Sequence, residues 1–520
     1  MLRLRGAAAV PWMPPSQLRH RTAHTMAQKK TVAVIGGGVS GLAAVKAFTE
    51  RGHNVQGFER GHDVGGVWEL TRSYPDVHTQ SPKDLYHFTD HPYGEEVPEW
   101  PSGAEVHAYL HSYADKHDLA RLFRLNTNVE AMERRADGQA GWTLTLKEGE
   151  AIVHEDFDFV VIATGQFSEK NSVTHPGQNE FIAQGGQVMH SSEYADQTIA
   201  RGKRVVVLGG SKSALDIAVN ATKNGAESVT LVYRKKVWRL PYFIGGINFK
   251  HLLFMRAQED QFNGWSPSPV ERVLRTILKP LIWANFRGLE TLLKTQLGLA
   301  KHDMVPDERI EDIVACSIGI VTPGFFEALN DGKIEAIRGT IDRYEDGAAV
   351  LSTGTTVPCD VAVMATGWKQ GVPFLPAGAH EKLVESDGLH RLYRFAVNPD
   401  LPDMGFVGFN SSFCTMLSAE LVSNWLVRYA DGKLENQPTA DEMNAHIDMM
   451  QKWRREERPA ARAYGGLCHA PFHFRHFDEL LQDMGARRYK RANPVVDFFV
   501  RPDTVAFGKF LASTPQYHAS

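Results

Sequence analysis

A chain of 520 residues with a formal net charge of -4, 43% hydrophobic and 23% charged side chains has room for roughly two to four domains and no basic excess to suit nucleic acid. Its four cysteines, Cys316, Cys359, Cys414 and Cys468, make no Cys-x-x-Cys pair, so neither a disulfide framework nor a redox dithiol is indicated and a reducing compartment fits. No apolar run reaches about 18 residues, so no spanning helix is expected.

Residues 1–29 carry Arg3, Arg5, Arg19, Arg21 and Lys29 without an acid, a charge pattern shared with mitochondrial transit peptides. Pro11, Pro14 and Pro15 oppose a clean amphipathic helix, and Met26 stands just before the first expected strand. An upstream extension unused by the folded part is the equal alternative. Either way, 1–29 reads as a disordered or targeting extension.

Val32 to Ile35 favour a strand and Leu42 to Phe48 a helix, and between them stand Gly36, Gly38 and Gly41. The first glycine lets the chain turn sharply, the second lets the backbone approach a phosphate, and the third lets the helix pack on the strand with its positive end aimed at the anion. The next strand, His53 to Phe58, ends at Glu59. A carboxylate there can accept hydrogen bonds from an adenosine ribose and repels a 2′-phosphate, which favours FAD or NAD over NADP. Gly65-Gly66-Val67-Trp68 and Thr79-Gln80-Ser81-Pro82-Lys83 read as loop around a ligand, ahead of a helix near Glu105 to His117. Phe157 to Ile162 form a buried parallel strand ending in Ala163-Thr164-Gly165, a second approach to the cofactor.

The pattern then repeats. Val205 to Leu208 precede Gly209-Gly210-Ser211-Lys212-Ser213-Ala214 and a helix from Leu215 to Thr222, with Ser211 and Ala214 replacing two glycines. Ser228 to Tyr233 end at Arg234, followed by Lys235 and Lys236. A guanidinium in the place of Glu59 suits a 2′-phosphate, so the second ligand is expected to be NADPH.

Residues of about 237–310 show little strand periodicity, and Ser266-Pro267-Ser268-Pro269 interrupts them before a basic, apolar-rich stretch from Val273 to Leu299. Pro280 and Gly288 are expected to divide that stretch, and core packing or a substrate-channel wall is preferred to membrane-surface contact. Strands return near Ile334 to Asp342, and Cys359 to Met364 lead into a second Ala365-Thr366-Gly367. Cys468, His469, His473 and His476 read as core rather than a metal centre. Phe472, Phe474 and Phe477 interleave them, their spacing matches no zinc pattern, and Pro471 breaks the helix. No metal is expected.

Together these residues resemble the flavin-containing monooxygenases, class B flavoproteins in which an NADPH-binding unit is inserted into an FAD-binding unit. The likeness spans most of the chain. It rests on the two glycine loops, on Gly65-Gly66-x-Trp68, on both Ala-Thr-Gly turns, on residues 478–485, and on Gly186-x-x-x-His190-x-x-x-Tyr194. In the family that last motif carries Phe two residues before the Gly, where this chain has Gln184, with Phe181 three residues earlier. Tyr194 resembles the amine- and sulfur-oxidising group, whereas related Baeyer-Villiger enzymes usually carry Trp.

The resemblance implies an α/β fold of two Rossmann-like dinucleotide-binding domains. FAD is assigned to 30–170 and 360–520, and NADPH to 171–359 with a helical insertion at about 237–310. FAD or NADPH contacts are expected at Gly36, Gly38, Gly41, Glu59, Gly66, Trp68, Val129, Thr164, Gly165, Gly209, Ser211, Ser213, Arg234, Thr366 and Gly367. Gln80 stands where the family often has Asn beside the flavin and is the expected catalytic residue, while His190 and Tyr194 are assigned to the hinge.

The implied chemistry is hydride transfer from NADPH to FAD, formation of a flavin C4a-hydroperoxide with O2, and transfer of its distal oxygen to a small organic amine or sulfide. Baeyer-Villiger oxygenation of a ketone, an NADPH-dependent flavin oxidoreductase or oxidase, and a non-catalytic flavoprotein or membrane-surface scaffold stay open. A reductase of the disulfide type lacks its dithiol. No nucleic acid partner is expected, peripheral membrane contact stays open, and oligomeric state and substrate are left unspecified. Cytoplasmic location is expected, with peripheral membrane or mitochondrial placement as alternatives.

Overall fold

The computed structural model describes residues 27–314, 318–486 and 493–519. The extension expected over 1–29 lies, up to residue 26, outside the described residues.

The first unit opens with β1 (Thr31–Ile35), α1 (Val39–Glu50) and β2 (Asn54–Phe58), followed by α2 (Gly103–Lys116) and β3 (Phe123–Arg124). Ser102 begins α2 because its hydroxyl and the Glu105 carboxylate cap each other's backbone N–H groups. An antiparallel sheet of β4 (Thr127–Arg134), β5 (Trp142–Glu148) and β6 (Ala151–Phe157) leads into β7 (Phe159–Ile162), whose four residues are all buried.

The second unit carries β8 (Gln187–His190), β9 (Arg204–Leu208), α3 (Lys212–Lys223) and β10 (Ser228–Tyr233). After the insertion come β11 (Glu335–Arg338), an antiparallel sheet of β12 (Ile341–Glu345), β13 (Ala348–Leu351) and β14 (Thr356–Pro358), and β15 (Val361–Met364). The chain then returns to the first unit through β16 (Met404–Phe406), and its C-terminal helices cover that unit.

Each unit is thus built on a five-stranded parallel sheet, ordered β16-β7-β1-β2-β3 in the first and β11-β10-β9-β15-β8 in the second. Continuous apolar runs such as Val205 to Leu208 are what strands buried on both faces require. Register decides the rest. Ile35 pairs with both Phe58 and Ile162, so Gly36, Glu59 and Ala163 leave the first sheet together at its carboxyl edge. Leu208 likewise pairs with Val232 and Met364, bringing Gly209 and Ala365 to one edge of the second. Ligands of open parallel sheets bind at such edges.

Four expectations change. β15 hydrogen-bonds to β9 and β8, so residues 361–364 complete the second sheet and the return to the first unit comes after them rather than at 360. Pro280 and Gly288 do not divide the insertion: one 28-residue helix, α4 (Pro269–Gln296), runs through both. The Ser-Pro stretch starts it, with Ser268 and Glu271 forming a capping box and Pro269 in the first turn, where a missing N–H is harmless. Core packing holds only toward its C-terminal end, where Phe286 and Leu293 are buried; Val270, Val273, Ile277 and Leu281 are 66%, 59%, 67% and 66% exposed and line one face. Finally, Cys468 is disulfide-bonded, while Cys359 and Cys414 are free and buried.

The insertion is nevertheless anchored. Arg256 donates to Asp478 at 2.7 Å on α6, where α5 is Thr415–Ala430 and α6 is His473–Asp483, and Trp265 packs edge-on against Phe472. His469, His473 and His476 lie buried among Phe395, Phe474 and Phe477, and burial lowers the pKa of each ring. No helix among the described residues is long and apolar enough to cross a membrane.

Candidate functional site

At the carboxyl edge of the first sheet lies a cavity of about 430 Å³. Gly36 opens it. Its φ of +110° is left-handed backbone, its N–H donates to Phe58 O at 2.8 Å, and a Cβ there would stand 2.6 Å from Ala163 O, so the glycine turn and the Ala163-Thr164-Gly165 turn are pressed together. Gly38 precedes the first turn of α1 and faces Gly66, where a Cβ would come within 2.9 Å of the Gly38 Cα. Gly41 is outside the lining; a Cβ there would meet Gly36 O at 1.8 Å, so its role is to seat the helix on the turn.

Glu59 is buried, with Oε2 accepting from Gly37 N–H and Oε1 from Gly61 N–H, each at 2.7 Å. Both oxygens keep a lone pair for a further donor in the cavity they line. Val129, Trp68, Thr164, Gly165 and Gly66 line the same space. Trp68 is fixed by donating Nε1–H to Tyr86 Oη at 3.0 Å. Thr164 Oγ1 is buried without a hydrogen-bond partner among the described residues, an orphan that a ligand's polar group would satisfy. These features, with the space kept clear by Gly36 and Gly66, suit the extended dinucleotide of FAD.

Several lining residues escaped sequence reasoning: Ser40, Arg72, Gly408, Asn410 and Thr415. Thr415 begins α5, so a second helix N-terminus borders the cavity. Its only sequence signal is an apolar helix following a glycine-containing strand end. A second cavity, of about 550 Å³ between Lys83, Tyr93, His251 and Arg501, contains none of the expected site residues.

The second unit repeats the geometry with other side chains. A Cβ at Gly209 would meet Ala365 O at 2.3 Å, the counterpart of Gly36 against Ala163. Ser211 stands at the N-cap position of α3 without a side-chain capping bond, and Ser213 sits in the first turn. Arg234 is exposed one residue beyond β10, whereas Lys235 pairs with Glu308 and Lys236 with Asp303, each at 2.6 Å. Arg338, on the neighbouring β11, donates to Arg234 O at 3.4 Å and adds a second guanidinium unforeseen in the sequence.

Thr366 and Gly367 belong to this unit, not to the cavity of the first. Gly367 O accepts from Asn171 N–H at 3.1 Å and meets His190 Nε2 at 2.9 Å, while the Thr366 hydroxyl donates to Asn171 O. Burial lowers the His190 pKa and raises that of Tyr194 to about 12. Tyr194 donates to Asn220 Oδ1 at 3.3 Å, and Asn220 in turn donates to Asp76 of the first unit at 2.9 Å. Phe181 packs under Gly186, where a Cβ would fall 2.4 Å from its ring, so it supplies the aromatic contact that Gln184 does not.

Between the units Tyr74 donates to Asp216 Oδ2 at 2.9 Å, and Asp216 also receives Lys212 and Thr322. Burial first, and then the Asp216 charge, push the Tyr74 pKa well up. Gln80 lies at this junction rather than in the lining of the first-unit cavity. Its Oε1 accepts from Ile320 N–H at 3.1 Å, and among the described residues none accepts from its Nε2.

A model of the flavin-binding monooxygenase-like family matches residues 29–487. Over 510 residues the chain is 29% identical to the probable flavin-containing monooxygenase 1 of Arabidopsis thaliana, covering 90% of this chain and 94% of that protein. Its fold is similar to that of S-allyl-L-cysteine S-oxygenase from Allium sativum, with a TM-score of 0.61 at 20% identity over 90% of this chain and 91% of the other. Cyclohexanone monooxygenase from Rhodococcus sp. Phi1 bound to NADP+ gives a TM-score of 0.61 at 20% identity over 84% and 90%. At that identity the structural likeness speaks for the fold alone.

Proposed function

This chain belongs to the flavin-binding monooxygenase-like family, and on that premise we propose that it uses FAD, NADPH and O2 to place one oxygen atom on the nitrogen or sulfur of a small organic substrate. The observation that carries the cofactor reading is the opposite charge at equivalent strand ends. Buried Glu59 lines the first site, and exposed Arg234 follows the matching strand of the second. An acid beside a ribose diol and a guanidinium beside a 2′-phosphate are the chemistries those two nucleotides require.

Bound FAD supplies the oxygen activation, and bound NADPH the hydride that precedes it. The chain's residues hold and shield. The N-terminus of α1, opened by Gly36 and Gly38, is assigned to the flavin pyrophosphate, and Glu59 to the ribose. Thr164 Oγ1 is assigned to the flavin, whose polar edge would satisfy it. Ser211, Ser213 and the α3 N-terminus are assigned to the NADPH pyrophosphate. The Tyr74–Asp216 and Asn220–Asp76 bonds hold the two units against each other. Gln80 keeps an amide where the family often has Asn, and its Nε2 is the donor we assign to the reacting oxygen.

Tyr194, in place of the Trp usual in Baeyer-Villiger relatives, favours nitrogen or sulfur over a ketone carbon as the acceptor. The test is to reduce the FAD-loaded chain anaerobically with NADPH, admit O2 with a tertiary amine, a thioether or a ketone, and identify the products. An N-oxide or S-oxide is expected. An ester would replace this reading with Baeyer-Villiger chemistry, and hydrogen peroxide alone with an oxidase. We further propose that the protein touches an anionic membrane surface through the exposed face of α4, because Arg272 and Lys279 flank its apolar residues.

A further inference from the structure

His107 and His111 are spaced i, i+4 on α2, so their rings rise from one face of the helix. Asp63, in the loop between Glu59 and Gly65, comes down on the same spot. Its Oδ2 lies 2.9 Å from His111 Nε2 and 3.2 Å from His107 Nε2, and the two nitrogens are 3.3 Å apart. A tetrahedral cation bound at 2.0–2.1 Å has ligand-to-ligand edges of about 3.3 Å, so the three atoms already outline one face of such a polyhedron. Two imidazole nitrogens thus converge on a single carboxylate oxygen, with Val64 O a further neighbour of His107 Nε2 at 3.2 Å.

We propose that Asp63, His107 and His111 form a binding site for a borderline divalent cation, of which Zn²⁺ fits best. Two imidazoles and a carboxylate are the donors that zinc accepts, whereas magnesium and calcium call for oxygen alone. Each ring presents Nε2, which places its remaining proton on Nδ1. Asp63 is held for the task because its Oδ1 accepts from Val64 N–H at 2.8 Å. The fourth position is assigned to water, since among the described residues the protein donors number three here: Asp63, His107 and His111. The rings and the carboxylate are partly exposed, 14% for His107, 41% for His111 and 28% for Asp63, which leaves an entry path from solvent.

The location gives the cation a structural consequence. Gly65 N–H donates to Gly37 O at 2.9 Å, and Gly66 faces Gly38, so the loop that would carry the metal also closes the first glycine turn. A cation joining Asp63 to α2 staples that loop to a helix and stabilises the folded chain by mass action.

The FAD-loaded full chain, stripped with a chelator, is titrated with ZnCl2 alone against a chromophoric competitor, and its thermal midpoint is recorded with and without zinc. One equivalent bound per chain and a raised midpoint are expected, with both effects weakened more than about tenfold in His111→Ala and in Asp63→Asn. His154→Ala, at an exposed strand position remote from the cluster in sequence, should bind as the parent does. Cobalt in place of zinc should give the strong visible bands of a four-coordinate site. No equivalent bound by the parent, or binding unchanged in His111→Ala, overturns the site; binding without a change of midpoint overturns the staple.

Discussion

Arg234→Ala tests the nucleotide assignment most directly. Lys235 and Lys236 are engaged with Glu308 and Asp303, and among the described residues no carboxylate is paired with Arg234, so this guanidinium, with Arg338 beside it, is available to a 2′-phosphate at the end of β10. A hydrogen bond to a charged group contributes about 1.5–3 kcal/mol, and exposure to water places this contact toward the lower end. A loss of about 2 kcal/mol is roughly 30-fold in kcat/KM for NADPH. NADH lacks the phosphate and should change less than about twofold. The assay is the rate of flavin reduction by each nucleotide under anaerobic conditions, at low and high ionic strength, since salt should shrink the NADPH effect. Equal losses with both nucleotides, or a loss confined to kcat, would refute a phosphate contact.

Gln80→Ala should raise the fraction of NADPH consumption that ends as hydrogen peroxide, by roughly fivefold for the loss of one neutral hydrogen bond of about 1 kcal/mol; coupling equal to the parent's would remove Gln80 from the reaction. The Arg204 guanidinium, bonded to Asp360 Oδ2 at 3.0 Å and Oδ1 at 2.6 Å, together with the Arg204 N–H at 2.8 Å, holds that carboxyl down to about 2 from 3.8. Its contribution is therefore complete above the unfolded value and is lost as pH falls from about 4 to about 2. Asp360→Asn should lower stability by about 1 kcal/mol or less at neutral pH, and urea midpoints for the two proteins should converge in strong acid; a gap that persists there refutes the ion pair as its cause. The chain should float with vesicles containing anionic lipid and not with neutral ones, and Ile277→Asp should abolish the association; flotation indifferent to that change would exclude the α4 face.

The sequence by itself determined the parts of this protein that rest on local backbone chemistry. Gly36 and Gly209 take positive φ where the chain must turn within reach of a neighbouring carbonyl, and apolar runs such as Val205 to Leu208 suit strands buried on both faces. Glu59 and Arg234 were legible as an acid and a base because each follows directly on a strand, so the end of the run gives its position.

What depends on partners far along the chain was decided only by the tertiary structure. Thr164 and Thr366 sit in two identical Ala-Thr-Gly tripeptides, yet strand order sends the first to the cavity of the first unit and the second to the second unit. Asn410 and Thr415 reach the first-unit cavity because β16 pairs with β7, more than 200 residues earlier in sequence. The apolar pattern of α4 identifies a face but not what covers it, and its N-terminal half is exposed. Asp63 meets His107 and His111 only because a loop folds back on α2. Periodicity and glycine spacing act over a few residues, whereas these encounters follow from the order and register of strands, which no short stretch of sequence encodes.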